Sequence, residues 1–322
     1  MSVRLATFNV RHARLPDETS DALALGRAVA GLDADVVALQ EVDRHQVRSG
    51  GADLARVAAE AMGALDYRFA ATIAGRVEPP RPGRGAPPEA PDPAEALAPL
   101  ATARGRALPG AAAQVLRSPA GRAAARAYLS TWVSRHRARG DEPDAAPAYG
   151  VALLSRVPVR EWRRVRLPLG ALWPFGRLQL GHDEPRVALA AVVETPDGPL
   201  TVVTTHLSTG TTWNRRQLRW LVRRLRGAPR PLVLLGDLNI RDDEPAAITG
   251  WRELVDAPTY PRQRPRLRID HVLVDDGVAP GSAPRPAVRS LGPARTLDLG
   301  ISDHRAVVVD LARAAGAARA AM

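Results

Sequence analysis

"RVALAAVVETPDGPLTVVTTH", residues 186–206, consists of two runs of apolar and β-branched residues around a four-residue break. Within "PDGP" (196–199), Asp197 and Gly198 both tolerate positive φ. The break therefore closes a hairpin, and the two runs must be antiparallel strands. The second strand ends on His206 and is followed by the small polar residues of "LSTG" (207–210). An imidazole at that point either terminates a strand or belongs to a site, and the rest of the chain decides between the two.

Further strand-like runs recur at "VRLATFNV" (3–10), "ADVVALQEV" (34–42), "GVALLSRVPV" (150–159), "PLVLLGDLN" (231–239), "RIDHVLVDD" (268–276) and "DHRAVVVDL" (303–311), each short and bounded by turn residues. Helical spacing appears at 20–32, 52–65 and 214–226. In the last of these, Leu218, Leu221, Val222 and Leu225 form one stripe with arginines opposite. Helices mixed with antiparallel strand pairs predict an α+β sandwich. Residues 79–99 break the pattern, because eight prolines in twenty-one positions remove backbone donors and prevent regular structure. Helical character returns over 111–139 around Val115, Leu116, Tyr128, Leu129, Trp132 and Val133, so the insertion is expected to end in a helix. An alanine-rich tail closes the chain.

The 322 residues contain no cysteine and 45% are hydrophobic. No apolar stretch is long enough to cross a membrane, and the N-terminus lacks the pattern of a secretory signal. A soluble, cytoplasmic, monomeric protein is expected. Without thiolates there is no disulfide framework, so any metal must rest on oxygen or imidazole, which favours Mg²⁺ or Mn²⁺. The net charge of +11 suggests an anionic partner. Every one of the 45 basic residues is arginine, however, and they spread along the whole chain. A basic solvated surface produced by compositional bias fits that distribution as well as a nucleic-acid footprint does.

Polar residues collect at what this reading takes to be C-terminal strand ends: Asn9, Glu41, His206, Asp237, Asn239, Asp270, His271, Asp303 and His304. So many carboxylates, carboxamides and imidazoles in equivalent positions point to one site. Mg²⁺ takes one or two carboxylates and keeps room for water and phosphate, which suits Glu41 and Asp303 with Asn9 as a neutral oxygen ligand.

The ordered set "TFNV", "LQEV", "THLS", "GDLN", "RIDHV" and "SDH", spread between residues 5 and 311, resembles the endonuclease/exonuclease/phosphatase superfamily of metal-dependent phosphoesterases. The resemblance implies a four-layer α/β-β/α sandwich of two mixed β-sheets with outer helices. It implies one domain over 1–312, interrupted by the insertion at about 77–147 and followed by a tail at 313–322. It also implies a Mg²⁺- or Mn²⁺-dependent hydrolase of phosphodiester bonds. Asn9 and Glu41 match the family's metal pair, and Asp303 matches a further metal-site carboxylate. Asp237 and Asn239 match the residues that position nucleophile and phosphate. His304, oriented by Asp270, matches the histidine that activates water as a neutral imidazole or contacts the phosphate. "THL" is the form of the branch similar to pancreatic-type deoxyribonucleases and neutral sphingomyelinases, where His206 would face His304 across the phosphate and donate a proton to the leaving oxygen or a hydrogen bond to the phosphate.

Substrate contacts are expected from Arg186, as a bidentate clamp or a surface ion pair, from Tyr149, and from Trp213 in the loop 208–216, which like Trp173 and Phe175 in the loop 167–185 is open to base stacking, a lipid interface or the core. His271 stands where relatives often carry tyrosine and is divided between site and packing roles. A phosphodiester in DNA or RNA is the expected substrate, with lipid headgroups or small phosphorylated molecules as the alternative. A non-catalytic binding module would have lost ligands, whereas Glu41, Asp237, Asn239, Asp303 and His304 are all present.

Overall fold

The computed structural model describes residues 2–77, 137–140, 143–169, 173–175, 179–181, 184–277 and 287–314. The proline-rich stretch, the expected helix around Val115 to Val133 and the chain end after Ala314 lie outside the described residues, as do the side chains of Trp173 and Phe175.

One sheet contains β1 (Ser2–Asn9), β2 (Val36–Arg44), β3 (Asp66–Ala74), β4 (Ala148–Ser155), β13 (Val288–Ser290), β14 (Arg295–Leu297) and β15 (Ala306–Arg313). Its order is β13-β15-β1-β2-β4-β3, with β14 also on β15. The other contains β5 (Val159–Arg166), β8 (Val187–Thr195), β9 (Gly198–His206), β10 (Leu232–Asp237), β11 (Arg252–Glu253) and β12 (Asp270–Asp275), in the order β11-β12-β10-β9-β8-β5. A small ribbon pairs β6 (Trp173–Phe175) with β7 (Gln179–Gly181). Both large sheets are mixed: β1 and β2 are parallel, β9 and β10 are parallel, and the hairpin partners β8 and β9 run antiparallel.

Side chains alternate across each strand, so one face of each sheet meets the other sheet and the opposite face meets helices. Leu5, Leu153, Leu189, Val202 and Leu235 fill the space between the sheets. Outside the first sheet, α1 (Ala22–Gly31) and α2 (Leu54–Met62) set Leu25, Val29 and Leu54 against Phe8 and Leu39. Outside the second, α3 (Thr211–Arg224) sets Leu218 and Leu221 against Val203 and Leu234, beside α4 (Glu244–Thr249). The layers are therefore helix, sheet, sheet, helix. Each buried leucine of these stripes contributes about 1.5–3 kcal/mol. The two helices outside the first sheet begin on Asp21 and Asp53, whose carboxylates accept from the backbone N–H groups of Ala24 and Arg56.

β3 and β4 pair to the level of Ala74 and Ala148, and Gly75 N–H donates to the Pro147 carbonyl at 2.7 Å. The chain thus leaves and re-enters the sheet at one point, so inserted residues there leave the strand pairing intact. Among the described residues no helix is long and apolar enough to cross a membrane.

Candidate active site

Strand register places the chemistry. Asp237 pairs with His206 on one side and with Asp270 on the other, so three functional residues stand in one row across β9, β10 and β12. Neighbouring strands are about 4.8 Å apart, close enough for these side chains to meet. The expected placement at C-terminal strand ends holds for Asn9, His206 and Asp237. Asp270 instead opens β12, and Asp303 and His304 lie in the turn before β15. β12 and β15 run antiparallel to β10 and β1, so their beginnings reach the same edge as the neighbours' ends.

Glu41 is not at a strand end either. It lies inside β2 at a bulge between Leu39 and Val42, with φ of 56°. Strict alternation would turn Glu41 toward the helices with Leu39. The extra residue lets Leu39 and Val42 both keep that side, and releases Glu41 toward Asn9. Asn239 and Ser302 also adopt positive φ, 49° and 65°. Such conformations cost about 1–2 kcal/mol each for a residue with a side chain, and here hydrogen bonds hold them. Asn239 N–H donates to Asp237 Oδ1 at 3.0 Å, and its Nδ2 donates to the Leu207 carbonyl at 3.0 Å. Ser302 Oγ donates to the Asn9 carbonyl at 2.6 Å and accepts from His304 N–H at 3.2 Å.

One oxygen is the hub. Asn9 Nδ2 donates to Asp237 Oδ2 at 2.9 Å, and the Nε2 atoms of His206 and His304 lie 3.4 Å and 3.7 Å from the same atom. Asn9 Nδ2 is also 3.4 Å from Glu41 Oε1. Behind His304, Nδ1 lies 2.9 Å from Asp270 Oδ2, which accepts from Thr259 Oγ1 at 2.5 Å. The Tyr260 ring leans on the imidazole, centroids 4.9 Å apart. Neither Thr259 nor Tyr260 is among the residues singled out from sequence. Their only signal is "TYP" (259–261) in the loop leading to "RIDHV".

Burial pushes the Asp237 carboxyl up to about 7, with Asp270 adding to the shift, while His304 and the hydrogen bonds from Asn9 and Asn239 restrain it. Asp270 is held below the usual carboxylate range: burial opposes this, but the His304 charge and the hydrogen bonds from His304 and Thr259 outweigh it. Burial alone would strip His304 of its proton. The charge and hydrogen bond of Asp270, then Asp237 and Asp303, instead raise it to about 10. The neutral imidazole expected near pH 7 is thus replaced by an imidazolium, because three carboxylates surround the ring.

Asp303 lies 3.2 Å from the guanidinium of Arg11. Arg186 is buried with Nη2 3.5 Å from Glu184, so it makes an internal ion pair. Tyr149 packs with Ile73 and Val77 beneath the Arg48 guanidinium, its ring in the core. Trp213 sits in the first turn of α3 with Arg216 stacked on it at 4.9 Å. His271 is fully buried, with Nδ1 2.6 Å from Glu253 and Nε2 2.8 Å from the Ile240 carbonyl. Both ring nitrogens are thereby committed to holding β12 to its neighbours.

Asp237, Asp270 and His304 bring possible ligand atoms within 4.8 Å of one another. Asp270 and His304 are already bonded to each other, which leaves the open capacity on the Asn9, Glu41 and Asp237 side. All donors here are oxygens or imidazoles, the set that a hard divalent ion takes. The residues present therefore fit a hard divalent ion.

The description "Endonuclease/Exonuclease/phosphatase family" belongs to a family model that matches residues 6–304. No curated protein matches the chain. Among solved structures, the endonuclease/exonuclease/phosphatase from Beutenbergia cavernae DSM 12333 is 22% identical with a TM-score of 0.59, over 97% of this chain and 72% of that one. D. rerio TDP2 complexed with single strand DNA product is 15% identical, TM-score 0.51, over 97% and 99%. The human Nocturnin catalytic domain with bound sulfate anion is 14% identical, TM-score 0.51, over 97% and 95%. At these identities the likeness is one of fold.

Proposed function

The chain belongs to the endonuclease/exonuclease/phosphatase family of metal-dependent phosphoesterases, and on that premise we propose that it hydrolyses phosphodiester bonds in nucleic acid. The observation that carries this reading is the convergence of Asn9, His206 and His304 on one buried oxygen of Asp237. Groups aimed at one point from both sheets suit a tetrahedral phosphate whose oxygens need several donors at once.

Asn9, Glu41 and Asp303 would hold Mg²⁺ or Mn²⁺, which when bound supplies charge neutralisation for the phosphate and the departing oxygen. Asp237, titrating near neutrality, accepts the proton of the attacking water, and Asn239 fixes the carboxylate through its N–H. His304 Nε2–H donates to a phosphate oxygen, with Asp270 and Tyr260 setting the ring's angle. His206 Nε2–H faces the hub from the opposite strand and protonates the leaving oxygen. A new P–O bond to water forms, the P–O bond to the leaving group breaks, and one proton passes to Asp237 as one leaves His206.

The test is turnover of plasmid DNA, sphingomyelin vesicles and a chromogenic phosphodiester in parallel, with Mg²⁺ or Mn²⁺ and with EDTA. DNA cleavage abolished by EDTA, by Asp237→Asn and by His304→Ala is the expected result. Turnover of sphingomyelin alone would replace this reading with the lipid-headgroup one.

A further inference from the structure

Just beyond β1, Arg11, His12 and Ala13 take φ of 43°, 48° and 59° in succession, a left-handed turn that L-residues disfavour at every position. It sets the Arg11 guanidinium 3.2 Å from Asp303, a carboxylate assigned above to the metal ion. We propose that Arg11 is a substrate-contacting residue held in reserve: it neutralises Asp303 in the ion-free protein and moves to a phosphate oxygen when a divalent ion takes that carboxylate. The proposal rests on the metal reading of Asn9, Glu41 and Asp303 and adds how the substrate phosphate is held beside them.

Hydrogen bonds fix the backbone on both sides of the pair. Arg11 N–H donates to Asn9 Oδ1 at 3.1 Å, which ties the turn to the end of β1. Ser302, itself at φ of 65°, donates its N–H to the Arg14 carbonyl at 2.7 Å and its Oγ to the Asn9 carbonyl at 2.6 Å. Arg262 anchors the other side, donating its N–H to the Asp303 carbonyl at 2.7 Å and Nε to the Ser302 carbonyl at 3.1 Å. Two unfavourable backbone conformations thus set one guanidinium against one carboxylate, and strain that its surroundings hold in place collects at functional sites. The pair also belongs to the hub. Burial and then the Asp303 charge push the Tyr260 phenol up, Arg11 acts against them, and Asp237 and Glu41 add to the rise. The same Tyr260 ring leans on His304, so the Arg11 charge is felt on the side of the hub where His304 donates.

Exposure makes the pair exchangeable. The Arg11 side chain is 28% exposed and that of Asp303 29%, and an ion pair so open to water holds weakly. A divalent ion brings twice the charge to the same carboxylate and repels the guanidinium beside it, so binding of the ion releases Arg11. The freed guanidinium is planar, and its paired N–H groups match the nonbridging oxygens of a phosphodiester. A lysine at this position would keep the charge without the fork.

Electron paramagnetic resonance of free Mn²⁺ gives the ion affinity with no substrate present. Arg11→Met should tighten Mn²⁺ about fivefold, because a competing cation is gone. Arg11→Gln, which keeps a polar side chain on the turn, should repeat that gain. Arg11→Lys keeps the charge and should stay within about twofold of the wild type. In saturating Mn²⁺, KM for the chromogenic phosphodiester should rise about tenfold in Arg11→Met while kcat changes by less than about threefold, the pattern of lost binding. Arg11→Lys should have a KM between the two. Arg289→Met, which removes an exposed charge on edge strand β13, should move neither reading.

Unchanged or weaker Mn²⁺ binding in Arg11→Met and Arg11→Gln would make the pair a structural clasp and overturn the proposal. Equal tightening in Arg289→Met would assign the gain to net charge and overturn it as well. A wild-type KM in Arg11→Met would overturn the phosphate contact. Wild-type protein that binds no Mn²⁺, or Asp303→Asn protein that binds it as tightly as the wild type, would instead overturn the metal assignment, and the proposal with it.

Discussion

His304 Nδ1 lies 2.9 Å from Asp270 Oδ2, in a pair that joins the turn before β15 in one sheet to the first residue of β12 in the other. Because Nδ1 is committed to this carboxylate, Nε2 is the nitrogen that faces the hub. Asp270→Asn keeps the volume but replaces an acceptor of fixed charge with an amide that no longer holds the imidazolium. Turnover should fall about 10²–10⁴-fold with KM little changed. Steady-state kinetics on a chromogenic phosphodiester, beside a thermal melt of the variant, checks this. A loss of less than threefold would mean that His304 needs no orienting partner.

Asp237 titrates near 7 in the folded protein against an ordinary value of 3.8. A carboxyl with a raised folded pKa favours the folded state fully below about pH 4, and that contribution is lost as pH rises toward 7. In EDTA, Asp237→Asn should therefore gain on the wild type over that window. The ceiling is about 4 kcal/mol, three pH units at about 1.4 kcal/mol each. Urea unfolding of both proteins across the window measures the gap, and a gap independent of pH would refute the assignment. Activity should be lost in the same variant.

If Asn9, Glu41 and Asp303 hold the ion, Mn²⁺ should raise the melting temperature of the wild type in proportion to about 2.7 kcal/mol at a hundredfold excess over Kd. Glu41→Ala should remove most of that increase, and with it the turnover. It should also leave the backbone strain of the EDTA-treated protein unchanged, because alanine keeps a Cβ at the same φ of 56°. Thermal melts with and without Mn²⁺ separate the two effects. A full Mn²⁺ response in Glu41→Ala would place the ion elsewhere.

The hairpin at 186–206 and the strands ending on Asn9 and Asp237 were legible because period-2 burial and turn residues are local signals. β5 is not, because "VREWRRVR" (159–166) is an edge strand whose open side takes arginine, and its start at Val159 reads on from β4 across Pro158. β3 was missed for a related reason, being the opposite sheet's edge. The bulge at Glu41 hides in a run that looks regular, since nothing in "VVALQEVDR" (36–44) marks an extra residue. Tyr260 reaches His304 only through tertiary packing.

Gly236 precedes the hub residue in β10 at φ of 148°, and a Cβ there would lie 2.1 Å from the Thr205 carbonyl oxygen. The obstacle is the backbone of the adjacent parallel strand, which carries His206 one residue later, so no side-chain rotation can relieve it. Gly236→Ala must push β9 and β10 apart where Asp237 and His206 face each other. The expected cost is about 3 kcal/mol or more, at the upper end of overpacking. Since the displaced atoms belong to the row that aligns the site, activity should fall further than stability does. Measuring residual turnover at a temperature where the variant remains folded separates the two, and wild-type turnover there would show that the His206 and Asp237 spacing is not set by this contact.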